Sequence, residues 1–206
     1  NAYMPEGDTD NGFLENLGAF DIAATQYLYG PNKNASTGDD TYYLDEEDSN
    51  GWYCIWDNGG TDTITAEEAT KSVSIDLRNA TLENAVGGGG YISQIGNDSL
   101  GLTIAYNSTG DCIIENATGS DQDDTLIGNE VNNILDGGAG DDTMTGGDGN
   151  DTYIVDSKDD LVKEKSSGGK DTIKSSLEWS LADNKYIENL SLTGSSNING
   201  TGNSLD

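Results

Sequence analysis

Between Gly119 and Ile154, glycine and acidic residues recur at fixed places in a nine-residue period. Four units stand in tandem: GSDQDDTLI (119–127), GNEVNNILD (128–136), GGAGDDTMT (137–145) and GGDGNDTYI (146–154). Position six holds Asp124, Asn133, Asp142 and Asp151, and position eight holds Leu126, Leu135, Met144 and Tyr153. The glycines of the last two units (Gly137, Gly138 and Gly140; Gly146, Gly147 and Gly149) allow positive φ and let carbonyl oxygens turn inward. With an aspartate at position six, each loop offers a set of hard oxygens, the donor type that calcium takes.

Such donors need a scaffold that repeats with them. The last three residues of each unit read as a short strand with one large apolar side chain pointing in. Two units make one turn of a right-handed parallel β-roll, so units n and n+2 stack and an ion sits between stacked loops. On this geometry the Asp124 and Asp142 loops hold one ion, with the carbonyls of Ser120, Gln122, Gly137 and Ala139. A second lies between Asn133 and Asp151, with Asn129, Val131, Gly146 and Asp148 lending carbonyls. Asn133 brings no charge, which predicts a weaker site. A Gly/Asp-rich linker would give no reason for an apolar residue every ninth position.

The register extends outward. Downstream, VDSKDDLVK (155–163) keeps Ser157, Asp160 and Val162 without glycines, and SSGGKDTIK (166–174) restores Gly168 and Asp171. Asp142 with Asp160, and Asp151 with Asp171, are the expected further pairs. Upstream, a step of nine from Asp124 reaches Glu115, and DNGGTDTIT (57–65) places Asp62 at position six. An internal echo supports these partial units: NGGTDTI followed by IENATG parallels SGGKDTI followed by IENLSLTG. It predicts that Asp62 with Glu115, and Asp171 with Glu188, each bridge an ion. No window has the alternating ligands, central glycine and terminal glutamate of an EF-hand loop.

Composition points the same way. The 206 residues carry 38 Asp+Glu against 9 Lys+Arg, a net charge of -29, and that surplus asks for bound cations. About seven calcium ions would supply about +14 and halve it. Histidine is absent, which excludes a histidine base, a Ser-His-Asp triad and the histidine ligands of a zinc site. Phosphate would be repelled, so nucleic acid is not an expected partner. No apolar run approaches a membrane span, and the chain reads as a piece of a longer one.

Outside the repeats, LGAFDIAATQYLYG (17–30) places Leu17, Phe20, Ala24, Tyr27 and Leu28 near helical spacing, with Gly30 and Pro31 as a stop. This predicts one N-terminal helix capping the open end of the roll. Strands are expected over 41–44, 52–56, 72–77, 91–95 and 102–106. Trp52, Trp56 and Trp179 could in principle form a sugar platform, although tryptophan in strands is more often core. Cys54 and Cys112 could pair; the register places them in different parts of their turns and does not decide the matter.

The nonapeptide resembles the calcium-binding repeat of RTX proteins. DIAATQYLYGPN, STGDDTYY (36–43), IWDNGGTDTI (55–64) and IENATGSDQDDTLIGN (114–129) further resemble, in that order, the start of the C-terminal domain of serralysin-type secreted zinc metalloproteases. The likeness covers about residues 17–155. It implies one calcium held by Ser36, Gly38 and Asp40 with Asp57, Gly59 and Asp62, and another held by Gly60 and Asp62 with Ile113 and Glu115. Asp40 and Ser36 stand where that family often has Thr and Arg. The HExxHxxGxxH zinc motif is not in this chain, so no catalysis is expected of it.

The resemblance divides the chain into a helix and the tail of an upstream protease domain (1–30), a β region with partial repeats (31–118), the nonapeptide roll (119–154), and degenerate repeats leading to a further array (155–206). The expected fold is all-β. The expected function is that of a calcium-binding module of a bacterial protein exported by a type I channel, secreted or at the cell surface, and folded outside by calcium. The alternative is a structural or adhesive surface-layer or matrix subunit assembling with copies of itself through calcium.

Overall fold

A computed structural model describes residues 22–24, 27–28, 36–44, 46, 52–83, 86, 90–96, 101–106, 112–195 and 197–205. In chain order the strands are β1 (Thr41–Tyr43), β2 (Trp52–Ile55), β3 (Thr63–Thr65), β4 (Val73–Asp76), β5 (Ser93–Ile95), β6 (Gly101–Ile104), β7 (Asn116–Thr118) and β8 (Thr125–Ile127). They continue with β9 (Ile134–Asp136), β10 (Thr143–Thr145), β11 (Thr152–Val155), β12 (Leu161–Lys163), β13 (Thr172–Ser175), β14 (Trp179–Ser180), β15 (Asn189–Leu192) and β16 (Gly200–Thr201).

Successive strands of the repeats fall alternately into two seven-stranded sheets, ordered β1-β3-β7-β9-β11-β13-β15 and β12-β10-β8-β4-β5-β6-β2. The result is a parallel β-solenoid of about seven turns. Leu126 registers with Met144 and Met144 with Val162 along one sheet, while Ala117, Leu135, Tyr153, Ile173 and Leu190 follow one another along the other. Units n and n+2 therefore stack, as the period of nine requires. Strands from the regions before, within and after the four tandem units share the same two sheets.

A three-residue strand shows one side chain to the interior and two to the flanks, because successive side chains alternate. Ile64, Leu126, Leu135, Met144, Tyr153 and Ile173 are fully buried, and with Ile75, Leu102, Ile104 and Ile114 they belong to one core. Each contributes about 1.5–3 kcal/mol on leaving water. The turns are held together between strands as well: the carbonyl of each position-six residue accepts the next turn's position-seven amide, as in Thr143 to Asp124 (2.8 Å) and Thr152 to Asn133 (2.8 Å).

The structure refines several expectations and decides points that the sequence left open. The sheets are not wholly parallel: β5 runs antiparallel to both β4 and β6. Only five residues separate β5 from β6, a link too short for the crossover that a parallel pair needs. Helical residues occur at 22–24 and 27–28, but the buried ones are Ile22 and Ala23, while Ala24, Tyr27 and Leu28 are exposed. Leu17, Phe20, Gly30 and Pro31 lie outside the described residues. Trp179 is buried in the core, so it offers no sugar platform. Both cysteines are buried free thiols, and each Sγ approaches the Ile55 carbonyl (3.8 Å for Cys54, 3.9 Å for Cys112). The solenoid thus brings together two cysteines that the nine-residue register had separated.

Candidate metal centres

Glycine-rich turns and a position-six acid place the candidate donors where the strands end and the chain crosses between sheets. Along these turns one hydrogen bond repeats. The Asp124 amide donates to Asp142 Oδ1 (2.8 Å), Asn133 to Asp151 Oδ1 (2.7 Å), Asp142 to Asp160 Oδ1 (3.0 Å) and Asp151 to Asp171 Oδ1 (2.8 Å). The echo units obey the same rule: Asp62 donates to Glu115 Oε2 (2.8 Å) and Asp171 to Glu188 Oε2 (2.8 Å). Asp40 donates to Asp62 Oδ1 (2.8 Å). Every pair expected from the register is adjacent in the fold.

The second carboxylate oxygen distinguishes the sites. Oδ2 of Asp62, Asp142, Asp151 and Asp171 is buried without a hydrogen-bond partner. A buried anionic oxygen of this kind is costly unless a cation meets it. These four are the donors a divalent ion would satisfy, so the residues present fit calcium. Asp124 differs, because Oδ1 accepts from the Val73 amide (2.7 Å) and Oδ2 from the Ser120 amide (2.5 Å) and hydroxyl (3.0 Å). Asp160 is likewise satisfied, by the amides of Asp142, Asp156 and Ser157.

Ser157 spends its hydroxyl on Asp141 Oδ1 (2.7 Å), which ties this glycine-free loop to the turn stacked before it. Asn133 turns its amide nitrogen to the Glu115 carbonyl (2.8 Å) and the Asn129 side chain (3.0 Å), a neutral substitute for part of an ion's work.

Carbonyls face the gaps between stacked turns. Ser120 O and Gln122 O lie against Gly138 and Gly140, Asn129 O and Val131 O against Gly147 and Gly149, Gly137 O against Gly119 and Gly146 O against Gly128. Ala139 and Asp148 meet this layer through their amides, which donate to Ser120 O (3.2 Å) and Asn129 O (3.1 Å). A Cβ at Gly138 would fall closer than 3.0 Å to Ser120 O, and its φ of +88 is one that side chains avoid. Glycine here lets the turns approach within reach of a shared ion.

At the N-terminal end, carboxylate oxygens of Asp40, Asp57 and Asp62 lie within 4.8 Å of one another. Asp57 is held by the Tyr42 hydroxyl (2.6 Å) and the Gly59 amide (2.8 Å), Gly38 O lies against Gly60, and Ser36 O accepts the Asn58 amide (2.9 Å). The first expected set is thus assembled as a group. Of the second, Gly60, Asp62 and Glu115 adjoin, while Ile113 is half-buried and lines a cavity with Arg78 and Tyr106. Gly168 lies against Glu164 and the Gly147 carbonyl.

Burial raises the carboxyl pKa values. Asp142 is pushed up to about 7 by burial, aided by the charges of Asp160 and Asp124 and opposed by the Asp124 amide. Asp151 is also pushed up to about 7, by burial and by Glu164 and Asp171, while Asp62 and Asp171 rise to about 6. The direction is that of anions crowded in low dielectric without their counter-charge. Arg78 pairs with Asp76 (2.5 Å) and Lys165 with Asp148 (2.6 Å), both outside these clusters.

Sequence reasoning missed three participants. Glu164 lies between units 155–163 and 166–174 and has no place in a period of nine, yet it joins Asp151 and Asp171 within 4.8 Å. Those two leftover residues, Glu164 and Lys165, were the available signal. The Tyr153 hydroxyl donates to Glu164 Oε1, and Val73 reaches Asp124 from 51 residues away; no local pattern reports either contact.

Comparison with known proteins agrees with this geometry. The model of the RTX calcium-binding nonapeptide repeat matches four copies over residues 118–153. Residues 118–153 are RTX repeats. Repeats of this type bind calcium, and of the residues described above Asp124, Asn133, Asp142 and Asp151 lie within them. The chain is also similar to serralysin of Proteus mirabilis, at 38% identity over 38% of this chain and 22% of that protein. Metallopeptidase AprA of Pseudomonas marginalis is 32% identical over 38% of this chain and 23% of its own length. Serralysin G of Dickeya chrysanthemi is 28% identical over 47% and 27%. The RTX β-roll therefore resembles the C-terminal region of the serralysins, and the aligned region contains no evident catalytic domain. The chain spans about a quarter of the length of these relatives.

Proposed function

We propose that this chain is the calcium-dependent folding module of a secreted bacterial protein, unfolded where calcium is scarce and folded once outside. The observation that carries this reading is the set of buried carboxylate oxygens, Oδ2 of Asp62, Asp142, Asp151 and Asp171, left without hydrogen bonds in an otherwise paired ladder. Without a cation, each adds repulsion to a chain of net charge -29. With calcium each becomes a ligand, and binding energy becomes folding energy.

Asp142 and Asp124, Asp151 and Asn133, Asp171 and Glu188, Asp62 and Glu115, and the Asp40–Asp57–Asp62 group would hold the ions, with the Ser120, Gln122, Asn129 and Val131 carbonyls. Bound calcium would supply positive charge and ligand bonds across turns; the chain supplies the spacing, the oxygen donors and the core. An ion at 100 times its dissociation constant adds about 2.7 kcal/mol of stability, so a few occupied sites suffice to switch a marginal fold.

The similarity to serralysins and AprA metallopeptidases supports export and an attached protease, with the roll as the part that folds on arrival. Far-UV circular dichroism of the chelated chain during a calcium titration tests the reading. A cooperative rise in β signal, not reproduced by equal magnesium, is expected. A β spectrum already complete in chelator and unchanged by calcium would refute it.

A further inference from the structure

The step from Asp151 to Asp171 is 20 residues, whereas that from Asn133 to Asp151 is 18. The two extra residues are Glu164 and Lys165, and the fold does not leave them idle. Glu164 is half-buried, its Oε1 accepts the Tyr153 hydroxyl, and its Oε2 accepts the Lys165 amide (3.0 Å). One carboxylate oxygen from each of Asp151, Glu164 and Asp171 falls within 4.8 Å of the others. Asp151 is 1% and Asp171 0% exposed, and Oδ2 of both is without a hydrogen bond.

The turn before Asp151 closes in on the same oxygens. A Cβ on Gly146 would collide with Asp151 Oδ2, the Tyr153 hydroxyl and Glu164 Oε1, so only glycine lets this turn pack directly against the three oxygens. The Lys165 ammonium is drawn aside to Asp148 Oδ1 (2.6 Å). Three carboxylates thus converge where a regular eighteen-residue step offers two, as at Asp124–Asp142, or one, as at Asn133–Asp151.

We propose that the Glu164–Lys165 insertion builds a three-carboxylate calcium site from Asp151, Glu164 and Asp171, tighter than the repeat sites without an insertion. The inference rests on the calcium reading above and adds to it a ligand outside the nonapeptide. Calcium affinity follows the number of charged ligands and the rigidity of the cage. Tyr153, fully buried at position eight between Leu135 and Ile173, is the positioning residue: its hydroxyl fixes Glu164 and couples the ion to the core.

The test is calcium titration of the whole chain against a fluorescent chelator, comparing wild type with Glu164→Gln, which keeps an oxygen for Tyr153 and loses the charge. One ion leaving the tight class, or weakening about tenfold or more, is expected. An unchanged tight class overturns the proposal. If Glu164→Gln does not fold in calcium, terbium decides, excited through tyrosine in wild type and Tyr153→Phe. Tight-class emission should fall in the variant, and equal emission overturns the proposal. A wild type that takes up no calcium instead defeats the calcium reading of the whole roll.

Discussion

Asp142 accepts the Asp124 amide on Oδ1 at 2.8 Å, from eighteen residues earlier in the chain, while its Oδ2 is buried with no partner. One oxygen registers the turns and the other waits for a cation. Asp142→Asn separates these tasks, because the amide keeps the acceptor and removes the charge. In chelator the substitution should stabilise the roll, because it removes a buried charge crowded by Asp160 and Asp124. In calcium it should raise the ion concentration needed for folding about tenfold. Asn133→Ala should change the calcium midpoint less, since Asn133 brings no charge. Urea melts with and without calcium check both, and equal shifts in the two conditions would contradict the assignment.

Acidity should imitate calcium in the ion-free chain. Asp142 and Asp151 rise to about 7 in the fold, and Asp62 and Asp171 to about 6, from ordinary values near 3.8. A carboxyl raised on folding prefers the folded state when protonated. Its contribution is complete below the unfolded pKa and is lost as pH rises through the folded one. The calcium-free roll should therefore lose stability between about pH 4 and pH 7, and saturating calcium should remove that slope. Thermal melts across this range provide the measurement.

Gly138 stands at φ +88 with the Ser120 carbonyl where its Cβ would be. Gly138→Ala should cost the calcium-loaded protein more than about 1 kcal/mol, because the turn must both adopt an unfavourable φ and draw back from the ion. A melting temperature within a degree of wild type would mean that close approach of the turns is not required.

Leu135 registers with Ala117 on one side and Tyr153 on the other and is fully buried. Leu135→Ala places two alanines in succession in the stack and should cost about 2–5 kcal/mol. Denaturant unfolding in saturating calcium gives the value, and an intact calcium stoichiometry would show that the core and the ladder of donors are separable.

The period of nine made the tandem turns legible, since Asp124, Asp142 and Asp151 mark the loops and Leu126, Leu135, Met144 and Tyr153 mark the interior. The echo of IEN after GGTDTI and GGKDTI reached further, placing Asp62 beside Glu115 and Asp171 beside Glu188. What stayed hidden depends on contacts across long separations. Val73 satisfies Asp124 from 51 residues away, and Cys54 meets Cys112 at the Ile55 carbonyl through β2 and the lead-in to β7. Glu164 was hidden for the opposite reason: a search for regularity discards the residues that break it. The antiparallel β5 also escaped, because a three-residue strand carries no mark of its direction.

Anomalous scattering from crystals grown in calcium addresses the central claim most directly. The account predicts ion peaks within bonding distance of Oδ2 of Asp62, Asp142, Asp151 and Asp171, between stacked turns. Peaks confined to exposed carboxylates such as Asp121 and Asp123, with those four oxygens still unligated, would contradict it.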